Sequence, residues 1–151
     1  MTEATARAVQ AALAGDWTIV ANIIAGRDDL LLNATIEPQM GYTMLHLACR
    51  DNQREIVQLL LVQPQLDINR RDHNGQTALH LVCHYEYLDI VADLIAEPYI
   101  EIDAHDDDGC TPLHASMYHS QPTCAKLLLG AGASTTVRNN VCAYLLQIFK
   151  S

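Results

Sequence analysis

Residues 74–91 read NGQTALHLVCHYEYLDIV. Eighteen residues hold a glycine turn, two histidines, a cysteine and two tyrosines. Cys83 stands between His80 and His84, a grouping that suits a thiol nucleophile or a metal ligand set. The frame around those residues decides against either, because it occurs three times. Gly41-Tyr-Thr-Met-Leu-His46, Gly75-Gln-Thr-Ala-Leu-His80 and Gly109-Cys-Thr-Pro-Leu-His114 share G-x-T-x-L-H at a spacing of 34 residues. The apolar runs REIVQLLL (54–61), LDIVADLI (88–95) and PTCAKLLL (122–129) follow at the same offset. A fixed period of this length is the signature of stacked repeats and takes precedence over local motifs.

The physical chemistry of the frame is that of a turn feeding a short helix. Asp72-His-Asn-Gly75 and Asp106-Asp-Asp-Gly109 place Asp and Gly where a tight turn needs them. Thr43, Thr77 and Thr111 are suited to cap the helix that follows. Pro112 falls at a first helical position, where a missing N–H is harmless. Ile56, Val57, Leu59 and Leu60 show the helical period of a second helix. Each pair is too short to bury its own apolar face, so neighbours must stack.

These residues resemble the ankyrin repeat, whose pattern opens near T-P-L-H and continues into an I-V-x-L-L helix. The resemblance runs from about Ala6 to Leu146 and implies an all-α solenoid of helix-turn-helix units with β-turn hairpin loops. It divides the chain into an N-terminal capping unit (1–33), three repeats (34–67, 68–101, 102–134) and a truncated C-terminal unit (135–151). The extra residue over the usual period of 33 falls in VQPQLDIN and AEPYIEID, between second helix and next turn. Weaker likenesses are to IκB-type inhibitors of Rel transcription factors, through SQPTCAKLLLGAGAS and GYTMLHLAC, and to myotrophin, through TCAKLLLGAGASTTVRN.

Composition bounds what such an array does. Half of the 151 residues are apolar and aromatics are few, which suits small packed helices. The formal charge of −9 offers no basic face for phosphate neutralisation, so nucleic acid is not an expected partner. Five cysteines, at 49, 83, 110, 124 and 142, include no C-x-x-C and no zinc spacing. With Glu3 at an N-terminus lacking an apolar leader, the expected setting is a reducing one, cytoplasmic and also nuclear, with no membrane association. A chain of this build from a pathogen would be one delivered into a host cell.

The resemblance assigns His46, His80 and His114 to hydrogen bonds around the capping Thr and toward the adjacent turn. Cys49 and Cys83 take a position where the family usually has Ala and are expected to pack as small buried hydrophobes. The rival reading, a metal or enzymatic site using Cys83, His80 and His84, needs a base and an oxyanion site that the frame does not supply. Neither a cofactor nor a bound metal is expected. Asp103 and Asp106–Asp108 lack calcium-loop spacing and read as solvated turn residues.

The positions left free by the frame are the turn tips and the outward side of each first helix, which the resemblance places on a concave face. In the first repeat these include Tyr42 and Arg50. The second contributes Arg71, His73, Asn74, Gln76, His84 and Tyr85. The third adds Asp107, Asp108, Tyr118 and His119. Tyr and Arg give large contact area with a polar handle, so the expected activity is binding of another protein, as inhibitor, adaptor or effector. Leu61 ahead of Asp67-Ile68-Asn69 also resembles the pattern of the HIF asparaginyl hydroxylase, which makes Asn69 a candidate for hydroxylation. The last segment carries two apolar stripes, and Tyr144 and Ile148 on the outer one are candidates for self-association.

Overall fold

A computed structural model describes residues 3–25, 32–137 and 139. Among the described residues eight helices follow one another: α1 (Glu3–Leu13), α2 (Trp17–Ala25), α3 (Met44–Arg50), α4 (Arg54–Leu61), α5 (Ala78–Tyr85), α6 (Leu88–Ile95), α7 (Pro112–Tyr118) and α8 (Pro122–Gly130). The described residues contain no strand, only an isolated bridge between Glu37 and Tyr42. The fold is the all-α solenoid that the resemblance implied. Helices pair as α1/α2, α3/α4, α5/α6 and α7/α8. The first helices stack α1–α3–α5–α7 and the second helices α2–α4–α6–α8, giving two layers.

Burial explains why the two layers look different in sequence. In α3 every residue from Met44 to Cys49 is buried, and in α5 every residue from Ala78 to Cys83. A helix apolar all round belongs between neighbours on every side, and these first helices have a layer-mate on both flanks and a second helix behind. The outer helices bury one stripe only: Ile56, Val57 and Leu60 in α4, then Ile90, Val91 and Leu94 in α6. Cys49 and Cys83 lie at zero exposure in this spine, packed as hydrophobes.

The caps fall where the sequence put them. Thr43, Thr77 and Thr111 are the N-cap residues of α3, α5 and α7, in extended backbone, each closing a capping box with the histidine three residues on. Pro112 opens α7. Between the helices of the last three pairs the chain reverses through a left-handed residue other than glycine: Asn52 at φ 54°, Glu86 at 59° and Ser120 at 58°. Only Asn is a common choice there, so the reversal at Glu86 and Ser120 has no composition cue.

The turn tips zip together from one repeat to the next. His73 N donates to Met40 O at 2.9 Å and Asp107 N to Asn74 O at 3.0 Å. Asp72 Oδ1 accepts from Asn74 N and Gln76 N, at 2.8 and 2.9 Å, and Asp106 Oδ1 repeats this with Asp108 N and Cys110 N. Pro38 holds the equivalent place one repeat earlier, and the neighbouring Glu37 takes over the task, accepting from Gln39 N and Met40 N. On the opposite rim, Asn33 bridges to Gln65 O and Asp67 N, and Asn69 to Tyr99 O and Glu101 N. Arg54 adds a two-pronged pair to Asp93, joined by Gln58, which links α4 to α6.

Candidate functional site

The three recurring histidines are structural. Thr43 N donates to His46 Nδ1 at 3.3 Å, and His46 Nε2 meets Gln76 O of the following repeat at 3.2 Å. His80 does the same with Thr77 N at 3.1 Å and Cys110 O at 3.0 Å. A nitrogen that accepts a backbone N–H is unprotonated, so Nε2 carries the proton and donates to the carbonyl. Each ring thus ties its own cap to the next turn. His114 has the same Thr111 partners, with the Val137 backbone facing its far side. Burial, foremost, lowers the pKa of all three below the ordinary histidine value. They are neutral at pH 7 because a charge on a dry ring is costly.

That arrangement removes the chemistry suggested by Cys83 and its flanking histidines. Both ring nitrogens of His80 are engaged, leaving no lone pair for a metal. Cys83 is buried beside Cys124, and burial pushes its thiol well above the ordinary range. A neutral thiol closed off from solvent is no nucleophile. His84 points elsewhere, with its ring 3.9 Å from that of His119 on α7's C-cap. Among the described residues no group of three His, Cys, Asp or Glu side chains is placed to hold a metal ion.

The positions proposed for binding sort into three groups. Tyr42 is a correction: it was expected on the open face, yet it is 7% exposed. Its ring lies flat on His46, with centroids 5.7 Å apart and planes at 6°, and the Arg50 guanidinium carbon sits 6.0 Å from its centre. The side chain turns over its own repeat's histidine, so it braces the cap. Arg50 is half-buried, held by Asp51 at 2.6 Å. Arg71 is exposed but reaches across the tips to His105 O, His73 rests its Nδ1 against Gln39 O, and Gln76 is partly buried under the turn. Asn74, Asp107 and Asp108 stand exposed at the tips.

The third group is continuous. Tyr87 stacks on Tyr85 (5.5 Å, 19°), Tyr85 meets His84 edge-on (4.7 Å), His84 meets His119 (3.9 Å) and His119 meets Tyr118 (5.1 Å). Five rings therefore run from the end of α5 to the end of α7, in a chain with eight Phe, Trp and Tyr residues in all. Tyr85 is 43% and Tyr118 64% exposed. Beside them opens a recess of about 290 Å³, lined in part by His84, Tyr118, His119, Asp106 and Asp108. The joining of Tyr87 to this row was not foreseen; it depends on the αL reversal at Glu86, which sends the chain back past Tyr85.

Asn69 occupies a bridging place. Its Nδ2 donates to Tyr99 O at 2.8 Å and its Oδ1 accepts from Glu101 N at 2.9 Å. The amide of the candidate hydroxylation site is thus spent on holding one hairpin to the next. Tyr144 and Ile148, named for self-association, lie outside the described residues.

Stacked helix pairs, cap-locking histidines and zipped tips define a class: repeat scaffolds that present side chains on a rigid face. Two models of the ankyrin-repeat family, one described as ankyrin repeats (3 copies) and the other as ankyrin repeats (many copies), match residues 62–139 and 27–82 respectively. The chain belongs to the ankyrin-repeat family. Among curated proteins none matches it. Membership makes it a protein–protein interaction module, and no helix among the described residues is long and apolar enough to cross a membrane.

Proposed function

We propose that this ankyrin array holds a partner protein on the face formed by the turn tips and the ends of its first helices, acting as an inhibitor, adaptor or effector in the cytoplasm or nucleus. The observation that carries the reading is the exposed ring chain from Tyr85 to Tyr118 beside the recess. Surface aromatics that contact one another are already ordered before a partner arrives. Less rotamer freedom is lost on association, and affinity gains accordingly. The unit boundaries proposed at 34, 68 and 102 fall in loops ahead of α3, α5 and α7, so each unit carries one tip and one helix pair. An action like that of the IκB-type inhibitors is the narrower form of the same proposal: a rigid array covering a partner's working surface.

Affinity capture from cells, with a Tyr85→Ala, Tyr118→Ala variant as control, tests it. Both side chains are exposed, so the variant is expected to melt like the parent. A face-specific partner should be retained by the parent and lost by the variant, since interface aromatics commonly contribute about 2 kcal/mol or more each. Retention by both would move the interface away from the ring chain.

A further inference from the structure

The recess beside the ring chain joins aromatic walls to carboxylates that form no ion pair among the described residues. Asp106 uses one carboxylate oxygen to close its own turn. Asp108 contributes its backbone N–H to that turn, and its carboxylate stays exposed at the tip. Among the described residues no basic side chain forms an ion pair with either. The Arg71 guanidinium, also at the tips, is turned to the His105 and Gly75 carbonyls. The recess is also bounded by Tyr118 and by the His84–His119 pair, at the carbonyl end of α5, where helix geometry favours positive charge.

We infer that this recess receives one arginine side chain from an extended segment of the partner protein, an inference that rests on the face proposed above. Three features select the guanidinium. Its flat cation is attracted to ring faces. Its fork of N–H donors suits a carboxylate that no basic side chain among the described residues pairs with. The volume, about 290 Å³, is small for a folded ligand or a drug-sized molecule and suits a single long side chain. A lysine ammonium offers the charge without the plane, so it binds the same place more weakly. The overall charge of −9 draws such a basic segment in from solution.

The test uses the full chain as bait for phage-displayed linear random peptides, followed by calorimetry on the winners. Enriched peptides are expected to share an arginine at one aligned position. Exchanging that arginine for citrulline, or making Asp108→Asn in the protein, should each weaken binding roughly tenfold. Combining the two changes should weaken it little further, because both remove one contact. The surface variant Asp89→Asn, on α6, should leave binding unchanged. Failure to enrich any peptide, winners without a common basic residue, or affinity indifferent to Asp108→Asn overturns the arginine assignment. Winners that ignore Asp108→Asn but are lost on Tyr85→Ala, Tyr118→Ala keep the proposed face and sink only the cation. Winners indifferent to all of these changes sink both.

Discussion

Gly75→Ala is expected to destabilise the protein by roughly 3 kcal/mol, about twice what a Cβ in left-handed backbone costs by itself. Gly75 sits at φ 74°, so the substitution carries that strain. Its surroundings add to it. A Cβ on Gly75 would lie 2.8 Å from Asp107 N and 2.5 Å from Asp107 Oδ1. It would have to push the next tip away and break the Asp107 N to Asn74 O bond. Gly41, at φ 78°, is placed alike, with an added Cβ 2.9 Å from His73 N, and Gly41→Ala should cost about as much. Urea unfolding of the two variants measures both losses. Because stability in a linear array is transmitted only between neighbours, Gly75→Ala should also broaden the transition as the two halves uncouple. Losses of only about 1–2 kcal/mol, the strain of the turn alone, would mean that the tip-to-tip contact contributes nothing beyond it.

The tip-to-tip contact at Gly75 also marks where sequence reasoning stops. Positive φ, Thr caps and Pro112 belong to one repeat and its frame, so G-x-T-x-L-H spells them out; the histidine role, which reaches into the next repeat, came with the resemblance. Contacts between repeats depend on how far each unit rotates over the last, and no residue pattern encodes that. Glu37 replacing the turn aspartate, Asn33 and Asn69 bridging hairpins, and the ring chain from Tyr87 to Tyr118 are all of this kind. Tyr42 was misplaced for the same reason. Its position is open in the frame, as Gln76 and Cys110 partly are, but a ring can fold back on His46 where smaller side chains cannot. For the site, the sequence reading named His84, Tyr85, Tyr118 and His119 individually as exposed. Their meeting in one row, next to Asp108 and around a recess, is a property of stacking.

Acid should weaken the fold in a window set by the buried histidines, well before the carboxylates titrate. Burial depresses the pKa of His46 and His80 in the folded chain, while the unfolded chain has the ordinary value near 6.5. Above that value both states hold the rings neutral and the stabilisation is complete. As pH falls below it, the unfolded chain takes up protons that the folded chain refuses, so stability declines until the folded pKa is reached. Within that window each ring contributes a slope of up to about 1.4 kcal/mol per pH unit, hence nearly 3 kcal/mol per unit for the two. The physical cause is visible at Nδ1. It accepts the Thr43 or Thr77 N–H, and a proton there would turn the acceptor into a donor facing a donor. His114, lowered in the same direction, adds to the slope. Urea titrations at successive pH values from 8 to about 5 measure it. A His46→Asn, His80→Asn variant, less stable throughout, should lose most of the slope. A parent protein with flat stability across this range would mean that the rings accept protons without breaking their caps, and the lock between repeats would have to lie elsewhere.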